Sequence, residues 1–144
     1  MTMPRTFTVV ALAAVLAFPT AATAKTFRGK TSQHLPVSLT TGADGVPTKG
    51  KIRWKAPCQK QGYSVRGATG WSPPFDQATP DILVDGPKSY RTKVGGERHR
   101  ITVTMKINRH GERWRGTIAL RVLVSRKGKV IDDCQFKRVT FTVR

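Results

Sequence analysis

Basic side chains that recur at every second position are the residues of this sequence best suited to a specific chemistry. They form two rows: Lys49, Lys51, Arg53 and Lys55 in the first, and Arg113, Arg115 and Arg121 in the second. On a β-strand, alternate side chains share a face and lie about 6.8 Å apart. A row of like charges facing water is destabilising unless an anion lies along it. We therefore expect these seven residues to bind an anionic polymer. The alternative is a solvated sheet face, because Lys also discourages strands from pairing edge to edge.

The overall charge supports an anionic partner. The 144-residue chain has 26 Lys and Arg against 8 Asp and Glu, a formal net charge of +18. Such a charge attracts anionic polymers, although it is also compatible with a basic protein that has no dedicated partner. A single-strand nucleic-acid binder would place aromatic rings between the cations, whereas Trp54 and Trp114 alternate away from them. No specific nucleic acid is therefore predicted.

Catalytic signatures are absent from the sequence. It contains no G-x-S-x-G, no H-E-x-x-H and no phosphate-cradling glycine loop. Asp132 and Asp133 are adjacent, so on a strand they point to opposite faces and cannot act together on one bond. The three histidines, His34, His99 and His110, are scattered singly, and we expect His99 and His110 to be exposed. We predict no enzyme activity, no metal site and no cofactor.

Cys58 and Cys134 are the only cysteines. In an oxidising compartment an even number of cysteines favours a disulfide. The alternative, a two-thiol metal or redox centre, would need further ligands at close spacing. We expect one bridge between these two residues.

A segment rich in glycine and proline, residues 67–80, shows no periodicity. We expect it to be a loop, and long loops of this kind are often functional. Trp71 and Phe75 are its candidate contacts with a ligand, although packing over the core is an alternative. This loop supports the alternative function, a secreted enzyme or inhibitor.

Apolar and polar residues alternate over most of the chain, which predicts β-strands. Residues 100–107 and 114–124 are expected to form a hairpin around a turn at 108–112. A change of phase near residues 137–138 predicts a β-bulge. Further strands are predicted at 51–56, 130–144, 25–29, 36–40, 63–67 and 89–94. No helical stripe is present, so we expect about seven or eight strands and no long helix.

The positions of the two cysteines suggest how the strands are layered. Cys58 is in phase with Trp54, and Cys134 is in phase with Phe136. A bridge between two buried faces favours an immunoglobulin-like antiparallel β-sandwich.

The first 24 residues have the features of a secretory signal peptide. Arg5 precedes an apolar run at 7–18, and an A-x-A site ends at Ala24. The run is too short to span a membrane as a typical helix, and an uncleaved anchor is the alternative. We expect a single domain at residues 25–144, with no transmembrane segment after cleavage.

Short motifs give a resemblance. The segment 27–33, FRGKTSQ, is followed by Pro36-Val37 and by Trp54-x-x-x-Cys58. In these motifs the chain resembles a group of small secreted actinobacterial proteins of unknown function. The resemblance implies export and a β-rich fold, and it brings no catalytic residue or ligand.

Together these features predict an exported, non-catalytic β-sandwich protein. We expect it to adhere through basic sheet faces to anionic cell-envelope or surface polymers. The sequence does not specify the ligand or the oligomeric state.

Overall fold

A computed structural model describes residues 23–60 and 62–144, which form strands and turns. The predicted signal segment, residues 1–24, lies outside the described residues except for its last two. The described chain contains no helix, and hence no helix long and apolar enough to cross a membrane. Its nine strands are β1 (Lys25–Thr31), β2 (Pro36–Thr41), β3 (Pro47–Pro57), β4 (Ser64–Trp71), β5 (Gln77–Ala78), β6 (Ile82–Val94), β7 (Glu97–His110), β8 (Arg113–Arg126) and β9 (Lys129–Val143).

All nine strands belong to one antiparallel sheet, in the order β4-β3-β2-β1-β9-β8-β7-β6-β5. The described chain begins at the centre of the sheet, runs outward to β4, and crosses to the opposite end at β5. It then returns strand by strand until β9 pairs with β1. The first and last strands therefore close the middle of the sheet, where Lys30 pairs with Thr142.

The predicted hairpin and bulge are both confirmed. Strands β7 and β8 pair from Arg98 to His110 around a short turn. On the other side of β8, Ile118 pairs with Val139 but Leu120 pairs with Phe136. Residues 137–138 therefore lie opposite a single residue, which is the arrangement of a bulge.

The prediction of an irregular loop at residues 67–80 is wrong. Strand β4 continues through Trp71, β5 occupies part of the remainder, and only residues 72–76 connect them. Glycine explains the difference, because Trp71 pairs with Gly50 and its indole lies where a Cβ at Gly50 would be. Gly50 on the neighbouring strand thus provides space for the buried ring of Trp71. The described chain accordingly has nine strands rather than seven or eight.

One face of the sheet, here called the inner face, holds the hydrophobic core. Trp54 and Trp114 are among its largest fully buried side chains, and strands throughout the sheet contribute to the same cluster. Trp54 Nε1 donates a 2.9 Å hydrogen bond to Thr69 Oγ1, so its polar atom is satisfied. The opposite face is here called the outer face.

The predicted disulfide between Cys58 and Cys134 is confirmed. It joins the chain just after β3 to β9, although β2 and β1 lie between these strands in the sheet. The sheet must therefore curve strongly toward its inner face. The curvature also brings β4, at one end of the sheet, close to β6, the last strand but one at the other end. Thr69 Oγ1 of β4 lies 2.7 Å from the hydroxyl of Tyr90 in β6.

Candidate anionic-polymer interface

All seven residues of the two predicted basic rows are exposed, and all lie on the outer face. On β3, Ile52 and Trp54 are buried, so the alternating basic residues must point away from the core. On β8, Trp114 and Leu120 are buried in the same way. The alternation read from the sequence therefore assigned each row to the correct side of its strand.

The two rows do not lie side by side, because β2, β1 and β9 separate β3 from β8. Cations of the intervening strands bridge part of this gap. Lys51 pairs with Ser38, and Ser38 with Arg28. Arg28 and Arg144 exchange two backbone hydrogen bonds of 3.1 Å each. Since Trp114 pairs with Val143, Arg113 lies beside Arg144, which extends the cationic row to β8.

The bridging residues were not among the sequence-based candidates. Arg28 and Lys30 do alternate in the sequence, but their strand is only seven residues long. Arg144 follows the last strand at the end of the chain. Only the pairing of β1 with β9 brings these three cations together.

A depression of about 590 Å³ lies on the outer face above β1, β9, β8 and β7. Four cations border it, with hydroxyl groups between them: Lys30, Lys106, Arg115, Arg138, Thr117 and Thr140. Thr117 pairs with both Thr140 and Lys106, which sets cation and hydroxyl next to each other. No Asp or Glu of the described chain borders it. These groups supply charge and hydrogen-bond donors for an anion.

A second outer depression, of about 690 Å³, lies near the end of the β3 row. Gln33 lines this depression. Its side-chain amide makes two hydrogen bonds to the backbone of β3, in the way that a neighbouring strand would. Its Nε2 donates to the carbonyl of Lys55 at 2.6 Å, and its Oε1 accepts from the Lys55 N–H at 3.0 Å. These bonds hold Arg53 and Lys55 in an extended strand beyond the end of β2.

Carboxylates are almost absent from the outer face of the described strands. Asp133 is the one exception, and Arg121 already neutralises it. Arg121 Nη2 donates to Asp133 Oδ2 at 2.6 Å, and Nε donates to Oδ1 at 3.0 Å. This carboxylate raises the pKa of Arg121 above its ordinary value. Within the described residues, Arg121 is therefore the one member of the predicted rows whose charge a carboxylate compensates.

Few cations of the described chain form ion pairs. Lys88, Arg121 and Arg126 are the only Lys and Arg residues in the described part that lie within 4.0 Å of a carboxylate oxygen. The remaining cations of the predicted rows have no carboxylate partner in the described part of the chain and can meet an external anion.

The acidic and histidine residues have structural surroundings. Asp132 and Asp133 lie on opposite faces of β9, and Asp132 Oδ1 accepts from the Lys60 N–H at 3.3 Å. The prediction that His99 is exposed is wrong, since it is buried on the inner face, with Nε2 3.5 Å from Glu97 Oε2. The strand phase set by Ile101 explains why it points inward.

Cys58, Cys134 and Asp132 lie close together in a geometry that superficially resembles a metal site. The two sulfur atoms are bonded to each other. They are therefore not thiolate ligands.

The candidate loop contacts point toward the core. Trp71 is only 8% exposed, and Phe75 is partly buried against the core cluster. A cavity of about 290 Å³ beside Trp71, between β4 and β6, is lined by Asp85 and Lys88 among others. The Lys88 Nζ atom lies 2.5 Å from Asp85 Oδ1, so these charges already neutralise each other.

No protein-family model matches this chain, and no curated protein or solved structure matches it.

Proposed function

We propose that this protein is an exported, non-catalytic module that adheres through its outer sheet face to anionic polymers of the cell envelope or cell surface. One observation carries the proposal. The outer face of the described strands presents cations on most of its strands but a single carboxylate, Asp133, which Arg121 already pairs.

This excess of cations over carboxylates on the outer face favours a polymer over a small ligand. Cations spread over many strands can each contact one anionic group of an extended chain. Each contact releases counterions, so the affinity should fall steeply as the salt concentration rises. The depression between Lys30 and Arg115 gives the polymer a place where several contacts converge.

Export is supported by the signal-like segment at residues 1–24 and is compatible with the disulfide. The resemblance to small secreted actinobacterial proteins points the same way. We also propose that the curved sheet acts as an immunoglobulin-like sandwich. Its two halves would form the facing layers, held together by Cys58–Cys134 and the Thr69–Tyr90 contact.

The test is cosedimentation of the purified, oxidised protein with its own cell envelopes across a salt series. The variant Lys51→Glu/Arg53→Glu/Lys55→Glu reverses three charges of the β3 row. Its control, Lys60→Glu/Lys127→Glu/Lys129→Glu, changes the net charge equally at exposed positions outside the two rows. Lys60 lies in a loop, Lys127 in a turn, and Lys129 is the first residue of β9.

We expect wild-type binding to fall by a factor of about 10³ between roughly 50 and 200 mM salt. The β3 variant should lose most of its binding at low salt, while the control keeps more. Equal losses in the two variants would show a response to net charge alone. That result, or binding that does not depend on salt, would overturn the proposal.

A further inference from the structure

The β6–β7 hairpin holds four cations in direct opposition on the outer face. Arg91 pairs with Arg100, and Lys93 pairs with Arg98. The turn at Gly95, which has a φ of 59°, sets this register. We call these four residues the hairpin cation cluster.

This arrangement is unfavourable without a partner. Directly opposed side chains have Cβ atoms about 5 Å apart, and like charges at that position destabilise a sheet. In the described chain no member of the cluster lies within 4.0 Å of a carboxylate oxygen. The nearest acid in sequence, Glu97, pairs with Arg126 at 2.6 Å instead. An external anion would remove the repulsion.

The cluster also borders a concave site. A depression of about 320 Å³ lies beside Arg91, Arg98 and Arg100, with Leu123 and Val130 among its lining residues. Leu123 pairs directly with Arg100, so an apolar side chain lies on the same face as the guanidinium groups. An apolar neighbour lowers the local dielectric constant and strengthens a bond between an arginine and an anion.

We infer that the hairpin cation cluster binds a tetrahedral oxyanion, either a phosphate or a sulfate group. Guanidinium groups reach the site from both strands of the hairpin. A planar carboxylate presents its two oxygens in one plane and suits a single guanidinium fork. A tetrahedral group presents oxygens in several directions and can meet donors from both strands. The inference rests on the proposed function and deepens it, because it specifies the anionic group of the polymer.

Thermal unfolding in different anions tests the inference. The Tm of the wild-type protein would be measured in sodium phosphate, sulfate, acetate and chloride at equal ionic strength. The site variant is Arg91→Gln/Arg100→Gln. The control variant, Lys25→Gln/Lys60→Gln, removes the same charge at exposed positions outside the two basic rows and the hairpin cation cluster.

We expect phosphate or sulfate to raise the wild-type Tm over chloride by about 5 °C at ten times the dissociation constant. Acetate should give little increase. The control variant should keep the response and the site variant should lose it. The phosphate and sulfate arms identify which oxyanion is preferred. In chloride the site variant should be at least as stable as wild type, because it relieves repulsion.

Phosphate and sulfate also stabilise proteins generally, by exclusion from their surfaces. An equal rise in all three proteins would therefore overturn the inference. So would a response to acetate as large as that to phosphate and sulfate. Neither result bears on envelope binding, because that function is tested separately with the β3 charge reversals. A failure of the oxyanion inference is thus distinguishable from a failure of the proposed envelope binding.

Discussion

The Tyr90 hydroxyl lies 2.7 Å from Thr69 Oγ1, and this contact joins β4 to β6 across the gap between the two ends of the sheet. Thr69 also accepts the indole N–H of Trp54, which links the contact to the core. Tyr90 is only partly buried, at 38% exposed. This partial burial raises its pKa above 10.0, and the hydrogen bond with Thr69 offsets part of the rise. The folded protein therefore favours the neutral phenol.

Replacing Tyr90 with Phe should lower the free energy of unfolding by about 1 kcal/mol near neutral pH, because one hydrogen bond is lost. Since the folded pKa is raised, the stability contributed by neutral Tyr90 is complete below pH 10.0 and is lost as pH rises through the folded pKa. Wild type should thus lose more stability than Tyr90→Phe in that range. Urea unfolding below and above pH 10.0 measures the difference. Tyr63→Phe is the control, because Tyr63 is 62% exposed. An equal loss of stability above pH 10.0 in Tyr90→Phe and in wild type would contradict the prediction.

Replacing Gln33 with Ala should destabilise the protein by about 1–2 kcal/mol, because two hydrogen bonds to the Lys55 backbone are lost. Amide exchange at Lys55 should accelerate in the same variant. Urea unfolding and hydrogen exchange measure these effects. Gln135→Ala, on the exposed outer face of β9, is the matched control. Unchanged exchange at Lys55 would show that the side-chain bonds do not support this strand.

Removing the disulfide should cost about 4.5 kcal/mol in free energy of unfolding, because the bridge closes a loop with a sequence separation of 76. The double variant Cys58→Ser/Cys134→Ser, compared with the oxidised protein in urea, measures this effect. Reducing the wild-type protein should give a similar loss. A difference under about 1 kcal/mol would mean that the sheet contacts alone keep β3 close to β9.

Replacing Asp133 with Asn should strengthen binding to envelopes rather than weaken it. The change frees Arg121 and removes the one carboxylate on the outer face of the described strands. One more contact with a phosphate-bearing polymer would make the salt dependence steeper by about 0.9 in the log–log slope. Cosedimentation across a salt series measures both effects.

The control for this charge change is Asp44→Asn, in the turn between β2 and β3. There Asp44 Oδ1 accepts the Val46 N–H, a bond that Asn can also accept. Equal gains in binding for Asp44→Asn and Asp133→Asn would attribute the effect to net charge. A gain confined to Asp133→Asn would place it on the outer face.

Local patterns predicted the strands well where the period of two is long and uninterrupted. The hairpin of β7 and β8 and the bulge at residues 137–138 follow from alternation, because a strand cannot change phase without an extra residue. The pattern failed at Trp71, where a small residue on the neighbouring strand, Gly50, decides that the ring is buried. Such an accommodation depends on a partner strand that the local sequence does not specify.

The candidate interface likewise has features that the sequence predicted and features that it did not. The sequence by itself determined the strand character of the chain, the side of each strand that carries its basic residues, and the availability of two cysteines for one bridge. Only the tertiary structure decided that β1 and β9 meet, that Arg28 therefore lies beside Arg144, and that Arg91 opposes Arg100. The physical reason is that side-chain alternation is a property of one strand, whereas the neighbours of a charge are set by the pairing and order of strands distant in sequence.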